Sequence, residues 1–334
     1  MSTKNASKTV LFLTLNPPKA STQQRVLDSL DYIRENGISC TVVPMPPGLA
    51  GRLAVMASVR RYDAVFIQKK LLRQFEIKMM RALNPHIAFD LDDSIMFHEV
   101  ERNEPLEGTF FRRFICMVEN AQVVLAGNRF LYEFARYNNR NVRIVPTPIN
   151  VSAYTPKDYD AVSDDIVIGW LGTRGNVKYV QSIGEALKDI SSRYPRVRLK
   201  IVCRGSLEID GVRIITKPWT AEEHVEDLRS MDIGIMPLDD DIWTMGKCGN
   251  KILQYFGVAV PVVASPVGVN NEIIDHGVDG FLAKGRKQWV EYLSALIEEK
   301  ALRRSMGLKG REKVAKYYSQ DLHRETLLAI LKDL

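Results

Sequence analysis

Cysteine is scarce in this chain, and the four present (Cys40, Cys116, Cys203 and Cys248) form no CxxC pair. That spacing excludes a disulfide framework and suits free thiols in a reduced compartment. The five histidines lie far apart, none at metal-ligand spacing from another or from a cysteine, so no structural zinc is expected. No apolar run reaches the roughly 18 residues of a membrane span, and TVLFLTL (9–15), after the polar MSTKNASK, is too short even for a signal segment. A cytoplasmic protein is predicted. Any membrane contact is then peripheral, at the cytoplasmic surface, through basic residues such as those of FFRRF (110–114) or Arg60-Arg61; a solvated helix face is the plainer meaning of both. There is no arginine-rich arm and no block of like charge, so the net charge of +6 favours phosphates or acidic surfaces without indicating nucleic acid. The P-loop pattern GxxxxGK[ST] is missing, which removes support for ATP hydrolysis, and the missing GxGxxG order disfavours a dinucleotide site.

What the chain has in quantity is alternation. Its 334 residues exceed what one core usually holds, and apolar β-branched runs recur between helical stretches. In the first half these runs are 9–15, ISCTVVPM, YDAVFIQKK (62–70), HIAFDLDD (86–93), AQVVLAGN (121–128) and NVRIVPTPI (141–149). Between the first two, STQQRVLDSLDYIRENG reads as one helix with Ser21 as its N-cap and Gly37 as its stop. The polar stretch 150–165 reads as an interdomain linker. The pattern then restarts with five strand candidates: 165–173, 197–205, 211–219, DIGIMPL (232–238) and 258–266. The tail has helical periodicity with a break near Tyr318-Ser319. Two successive doubly wound α/β domains are the simplest architecture.

Ligands of such sheets bind where strands end and helices begin. GTRGNVK (172–178) places glycines, Arg174 and Lys178 between a strand and a helix. GKCGNK (246–251) places Lys247 and Lys251 before the helix KILQYF, where unpaired backbone N–H groups favour an anion. The alternative there is an ordinary tight turn with surface lysines. FDLDDS ends a strand in Asp90, Asp92 and Asp93. These carboxylates can hold a divalent cation, position an acceptor hydroxyl, or belong to a solvated loop capped by Asp93 or Ser94. His98 follows as a conceivable partner or a surface residue. Trp219 can cover a ligand or pack inside, and Asp239-Asp240-Asp241 reads as loop solvation or a sugar contact.

With these loops in place, the second half resembles the retaining GT-B glycosyltransferases of the "glycosyl transferases group 1" family. The similarity is carried by IGWLGTRGNVKYV, VCRG, KPWTAEEHVEDLRSMDIGIMPL, the stretch Gly246 to Ala283, and KVAKYYS; it covers 165–318. The first half is similar more loosely, through FLTLNPPKASTQQR, YDAVFIQKK, FDLDDS and AGNRFLYEFA. The resemblance implies two Rossmann-like domains facing a cleft: 1–155 on the acceptor side, 165–316 for the nucleotide sugar, and 317–334 as a helix returning to the first domain. It implies transfer from a nucleotide-sugar donor to a glycan, lipid-linked or small acceptor, with retention and with neither metal nor cofactor. The donor diphosphate would meet Thr173, Arg174, Lys178, Lys247, Gly249, Asn250 and Lys251, and the nucleoside Arg204, Trp219 and Gln254. Ser21, Gln24, Arg25, Asp93 and His98 would lie on the acceptor side. Asp92, Lys178 and Lys251 would be catalytic. The family's paired glutamates, eight positions apart, fall here on Gly246 and Gln254. Gln254 can still bond ribose hydroxyls, whereas Gly246 offers the sugar no side chain. Two further readings stay open: a GT-B-type sugar-nucleotide epimerase, and a non-catalytic nucleotide-sugar-binding subunit of a glycan-assembly complex.

Overall fold

A computed structural model describes residues 8–16, 20–97, 108–161 and 163–334. The chain divides into two compact units. The first takes Met1–Pro148, Met245–Cys248 and Gln320–Leu334; the second takes Ile149–Thr244 and Gly249–Ser319. Among the described residues no helix is long and apolar enough to cross a membrane.

The first unit is built on six strands: β1 (Lys8–Thr14), β2 (Ile38–Pro44), β3 (Ala64–Gln68), β4 (Ile87–Leu91), β5 (Val123–Ala126) and β6 (Val142–Ile144). They pair in the order β2-β1-β3-β4-β5-β6, all parallel. Parallel strands need crossover helices, which cover both faces. Accordingly β3, β4 and β5 are buried at every position, while the edge strands β2 and β6 are partly exposed. On one face Val10, Phe12, Phe66, Ala88 and Leu125 pack with Leu30 and Ile33, and with Leu327 and Leu331 of the last helix, Gln320–Asp333.

The helix expected from Ser21 to Gly37 is three pieces: Ala20–Arg25, a 3-10 turn Leu27–Ser29, and Leu30–Glu35. The chain leaves helical angles at Val26 (φ −123°, ψ −65°). Ser21 lies inside the first turn and is not an N-cap.

The second unit has β7 (Ile166–Leu171), β8 (Val197–Val202), β9 (Ile214–Lys217), β10 (Ile233–Met236), β11 (Val262–Ala264) and β12 (Gly280–Leu282). Their order is β12-β11-β10-β7-β8-β9, again all parallel. The sixth strand, β12, was not among the sequence candidates: it is three residues long and lies between glycine-bearing turns. β11 is shorter than expected because Val258 and Ala259 still turn, Ala259 with φ 58°. Ile168, Trp170, Leu199, Ile201, Ile235 and Val263 form the sheet side of a core closed by Leu187, Ile190, Leu293 and Leu296. The polar stretch after Ile149 is fastened to this unit. Tyr159 is buried with its hydroxyl 2.9 Å from Ala259 O, and Arg311 donates to Tyr154 O at 2.6 Å. Helix Lys300–Tyr317 ends in the second unit, and after Tyr318-Ser319 the last helix belongs to the first.

That last helix carries a buried histidine. His323 Nε2 lies 2.9 Å from Arg25 O, donating to it in the matching tautomer. Burial, with the neighbouring Arg25 charge, holds its imidazole down from 6.5 to about 4. A lowered histidine is neutral in the fold and charged in the unfolded chain between those values. Its contribution is therefore complete above pH 6.5 and is lost as pH falls towards 4, by about 3 kcal/mol in all. We expect His323→Gln to remove about 2–3 kcal/mol of the stability difference between pH 7 and pH 4.5, measured by urea unfolding. An unaltered difference would show that the imidazole is not held neutral.

Candidate functional site

In the second unit the strand after β7 in sequence, β8, lies on one side of it and β10 on the other, so loops diverge at the carboxyl end of β7. The loop leaving β7 forms a 3-10 turn, Arg174–Asn176, then a short helix, Val177–Gln181. Thr173, Arg174 and Lys178 are exposed on it, with Thr173 Oγ1 accepting from Asn176 Nδ2 at 3.1 Å. Arg174 lies over the turn after β8: a β-carbon on Gly205 would sit 3.2 Å from Arg174 Cγ. Arg204, in that turn, is exposed.

The helix Asn250–Gly257 begins at Gly249, whose φ of 64° is a left-handed conformation that favours glycine. Gly249 itself offers no capping side chain, and Ile252 N donates to Gly249 O at 2.9 Å. Lys251 reaches back to β7: its Cε is 3.1 Å from where a side chain on Gly172 would begin, and its Nζ is 5.6 Å from the Trp170 ring centre. The structure thus joins Lys251 to the β7 loop and Arg174 to the β8 turn. Gln254 is 7% exposed, so little of it is open to a nucleoside.

Trp219 is 43% exposed rather than packed inside. Its indole N–H donates to His224 Nδ1 at 3.0 Å, and His224 Nε2 lies 3.1 Å from the Tyr154 hydroxyl. Burial lowers His224, which suits the neutral ring that this bond requires. A separate cavity of about 250 Å³, lined by Ser182, Leu238, Ser265, Val267, Gly285 and Arg286 among others, contains none of the expected donor residues.

GKCGNK does not act as one piece. Met245–Cys248, with Lys247, belongs to the first unit, and Gly249, Asn250 and Lys251 belong to the second. Asn128 explains the division. Its Nδ2 donates to Lys247 O at 3.0 Å and to Met245 O at 3.3 Å, while its Oδ1 caps the helix Arg129–Arg136. Gly246 passes against Ser94 so closely that a β-carbon would overlap the serine hydroxyl.

In the first unit Arg25 contradicts its expected acceptor-side role. Its side chain is fully buried, bonded through Nε and a terminal nitrogen to Asp90, and donates to Val145 O at 2.9 Å. The Asp90 carboxylate keeps the guanidinium charged despite burial. Asp92 and Asp93 are paired with Lys69, whose Nζ lies 3.0 Å and 3.2 Å from their carboxylates. Burial alone would raise the Asp92 carboxyl; Lys69, Arg25 and the Ser21 hydroxyl outweigh it and hold it below the usual range. Each carboxylate of FDLDDS therefore faces a protein cation. Ser21 meets Asp92, Gln24 is half-buried nearby in sequence, and His98 lies outside the described residues. Lys69, Ser94 and Asn128 were not singled out as site residues from the sequence; the only signal was the lysine pair ending YDAVFIQKK.

Residues 165–299 match the family model "Glycosyl transferases group 1". A D-inositol 3-phosphate glycosyltransferase of Corynebacterium jeikeium is 25% identical over 206 residues, 53% of this chain and 48% of that protein. The chain thus spans about half the length of this curated relative. The Anabaena protein HepE, solved with UDP and glucose, superposes with a TM-score of 0.72 at 14% identity, covering 98% of this chain and 100% of HepE. A putative UDP-N-acetylglucosamine 2-epimerase from Listeria monocytogenes gives 0.61 at 14%, covering 98% and 96%. At these identities the likeness is one of fold, the GT-B architecture of two parallel α/β sheets.

Because Ser94 fills the space beside Gly246, we expect Gly246→Ala to cost about 1–3 kcal/mol by overpacking, a fall of several degrees in Tm. Ser94→Gly in the same chain should recover much of it. Equal losses with and without Ser94 would show that the serine is not what crowds position 246.

Proposed function

We propose that this protein is a retaining glycosyltransferase that moves a sugar from a nucleoside diphosphate sugar to a hydroxyl of a glycan, lipid-linked or small acceptor. The second unit takes the donor and the first the acceptor. One observation carries the reading: Lys251, in the first turn of a helix opening at a left-handed glycine, lies against the end of β7, from which the loop bearing Arg174 and Lys178 departs. A helix N-terminus and cations gathered at the carboxyl edge of a parallel sheet suit a diphosphate, and best suit it when the leaving group gains charge. The match of residues 165–299 and the UDP complex of HepE support a UDP-sugar as the first donor to try. Metal independence belongs to the same proposal, supported by Asp92 and Asp93 being paired with Lys69. Trp219, held by His224, offers an exposed ring for the nucleoside, with Arg204 just beyond the end of the paired strand β8.

The epimerase shares the fold, so the reaction must separate the two readings. Incubation of UDP-glucose without acceptor, followed by product analysis, gives an epimeric sugar nucleotide in one case and at most slow hydrolysis in the other.

We expect a thermal-shift panel of UDP, GDP, ADP, dTDP and CMP to show one diphosphate raising Tm by several degrees at about a hundred times its Kd, equally in Mg²⁺ and in EDTA. Lys251→Ala should lower turnover about a hundredfold or more. If no nucleotide shifts Tm, the donor site is wrong; if Lys251→Ala turns over normally, the role of the helix start is wrong.

A further inference from the structure

The sequence turns sharply after β3. Lys69 has φ 48°, a left-handed conformation uncommon for a residue with a side chain and costing about 1–2 kcal/mol. Such strain persists only where its surroundings over-determine it, and here they do. Lys69 N donates to Asp90 O at 2.7 Å, and its side chain, 12% exposed, ends between Asp92 and Asp93. Ordinary strand alternation would send residues 68 and 69 to opposite faces. The left-handed turn instead delivers the ammonium to the loop after β4. Next to it in sequence Gln68 is fully buried, with neither amide atom hydrogen-bonded within the protein.

Two carboxylates on consecutive residues repel, and Asp92 is 8% exposed, where water screens poorly. Burial disfavours the Asp92 carboxylate, and a cation beside it offsets that cost. Asp92 is also faced by Arg25, by Asp90 and by the Cys248 thiol, which burial pushes up. Arg25 is already engaged by Asp90. Among the described residues that leaves Lys69 as the cation in contact with Asp92.

We propose that Lys69 is a positioning residue for the acceptor: it keeps Asp92 ionised and fixed beside Asp93, so that this carboxylate accepts a hydrogen bond from the incoming hydroxyl. The role rests on the transferase reading above. Asp92 orients the hydroxyl and takes no part in the donor contacts of the second unit, so loss of Lys69 leaves donor binding intact. The strained backbone is the means by which a β-strand terminus places an ammonium against two carboxylates of its neighbour.

Lys69→Asn removes the cation while suiting the left-handed angle, so the variant is expected to fold; Lys69→Arg keeps the charge. In the full chain carrying ¹³Cγ-aspartate, with the Asp92 resonance identified through Asp92→Asn, the titration midpoint of Asp92 should rise by more than one pH unit in Lys69→Asn. It should stay near the wild-type value in Lys69→Arg. The acid limb of kcat for UDP-glucose turnover should move up by the same amount in Lys69→Asn. The Kd for UDP, measured by calorimetry, should stay within twofold. An unmoved Asp92 midpoint, or a fall in kcat at every pH with the acid limb in place, overturns the proposal. A wild-type chain that binds no nucleotide overturns the transferase reading and the acceptor role with it. The titration then still decides whether Lys69 holds Asp92 ionised.

Discussion

The edge of the first unit that carries its polar residues depends on one buried guanidinium. Arg25 is out of reach of water, and an unpaired charge there would destabilise the fold by several kcal/mol. It is satisfied from three directions at once: by Asp90 at the end of β4, by Val145 O beyond β6, and by Thr147 Oγ1 at 3.4 Å. Its own carbonyl receives His323 from the last helix. One residue thereby ties a short helix, two strand exits and the chain's final helix together. Asp92 lies two residues beyond Asp90, so the carboxylates that follow inherit their position from this pair. Buried ion pairs of this kind add little net stability compared with apolar packing, but they tolerate few geometries. A site that must hold carboxylates in place gains from that intolerance.

The second unit solves a different problem. Here the cations sit nearer the surface: Arg174 and Lys178 are exposed and Lys251 is half-buried, all three just beyond strand ends or at a helix start. Nothing in apolar packing asks for cations there. Their stems are nevertheless given seats, Lys251 against Gly172 and over Trp170, and Arg174 against Gly205. In the proposed donor role, seated stems would restrict the motion of the head groups before an anion arrives, which reduces the entropy that binding would otherwise cost. The left-handed Gly249, which starts the following helix, carries no side chain to cap it.

Much of this fold was legible because strands buried on both faces must be apolar throughout. AVFI, IAF and VVLA read as strands, and β3, β4 and β5 are buried at every position. The doubly wound alternation followed, as did the break at Tyr318-Ser319. β12 was illegible because a three-residue edge strand needs no apolar run of its own; its neighbour defines it. The pieces of the first helix were missed because the departure at Val26 leaves no glycine or proline in the sequence. The basic loops of the second unit could be read from glycine and charge beside a strand end. Arg25 could not be placed, since a cation near a strand end looks alike whether it faces a ligand or a partner sixty-five residues away. Lys69 was passed over for the converse reason: its importance comes from a backbone angle, and lysine does not announce a left-handed turn as glycine does.

Position 246 shows why a departure from a family pattern must be read with its surroundings. Where the glycosyltransferase pattern that the sequence resembles would have a glutamate, this chain has a glycine, and taken alone that is a lost acid. In the fold it is half of a contact, because the Ser94 hydroxyl occupies the volume into which any side chain would have to grow. Asn128 holds the backbone on either side at Met245 O and Lys247 O, so the segment cannot move away to make room. Ser94 is itself fully buried and follows directly on Asp92 and Asp93. The glycine and the acidic loop therefore form one arrangement: bringing the segment this close to Ser94 excludes an acid at 246, and it sets two carboxylates, with their lysine, beside the same stretch of chain.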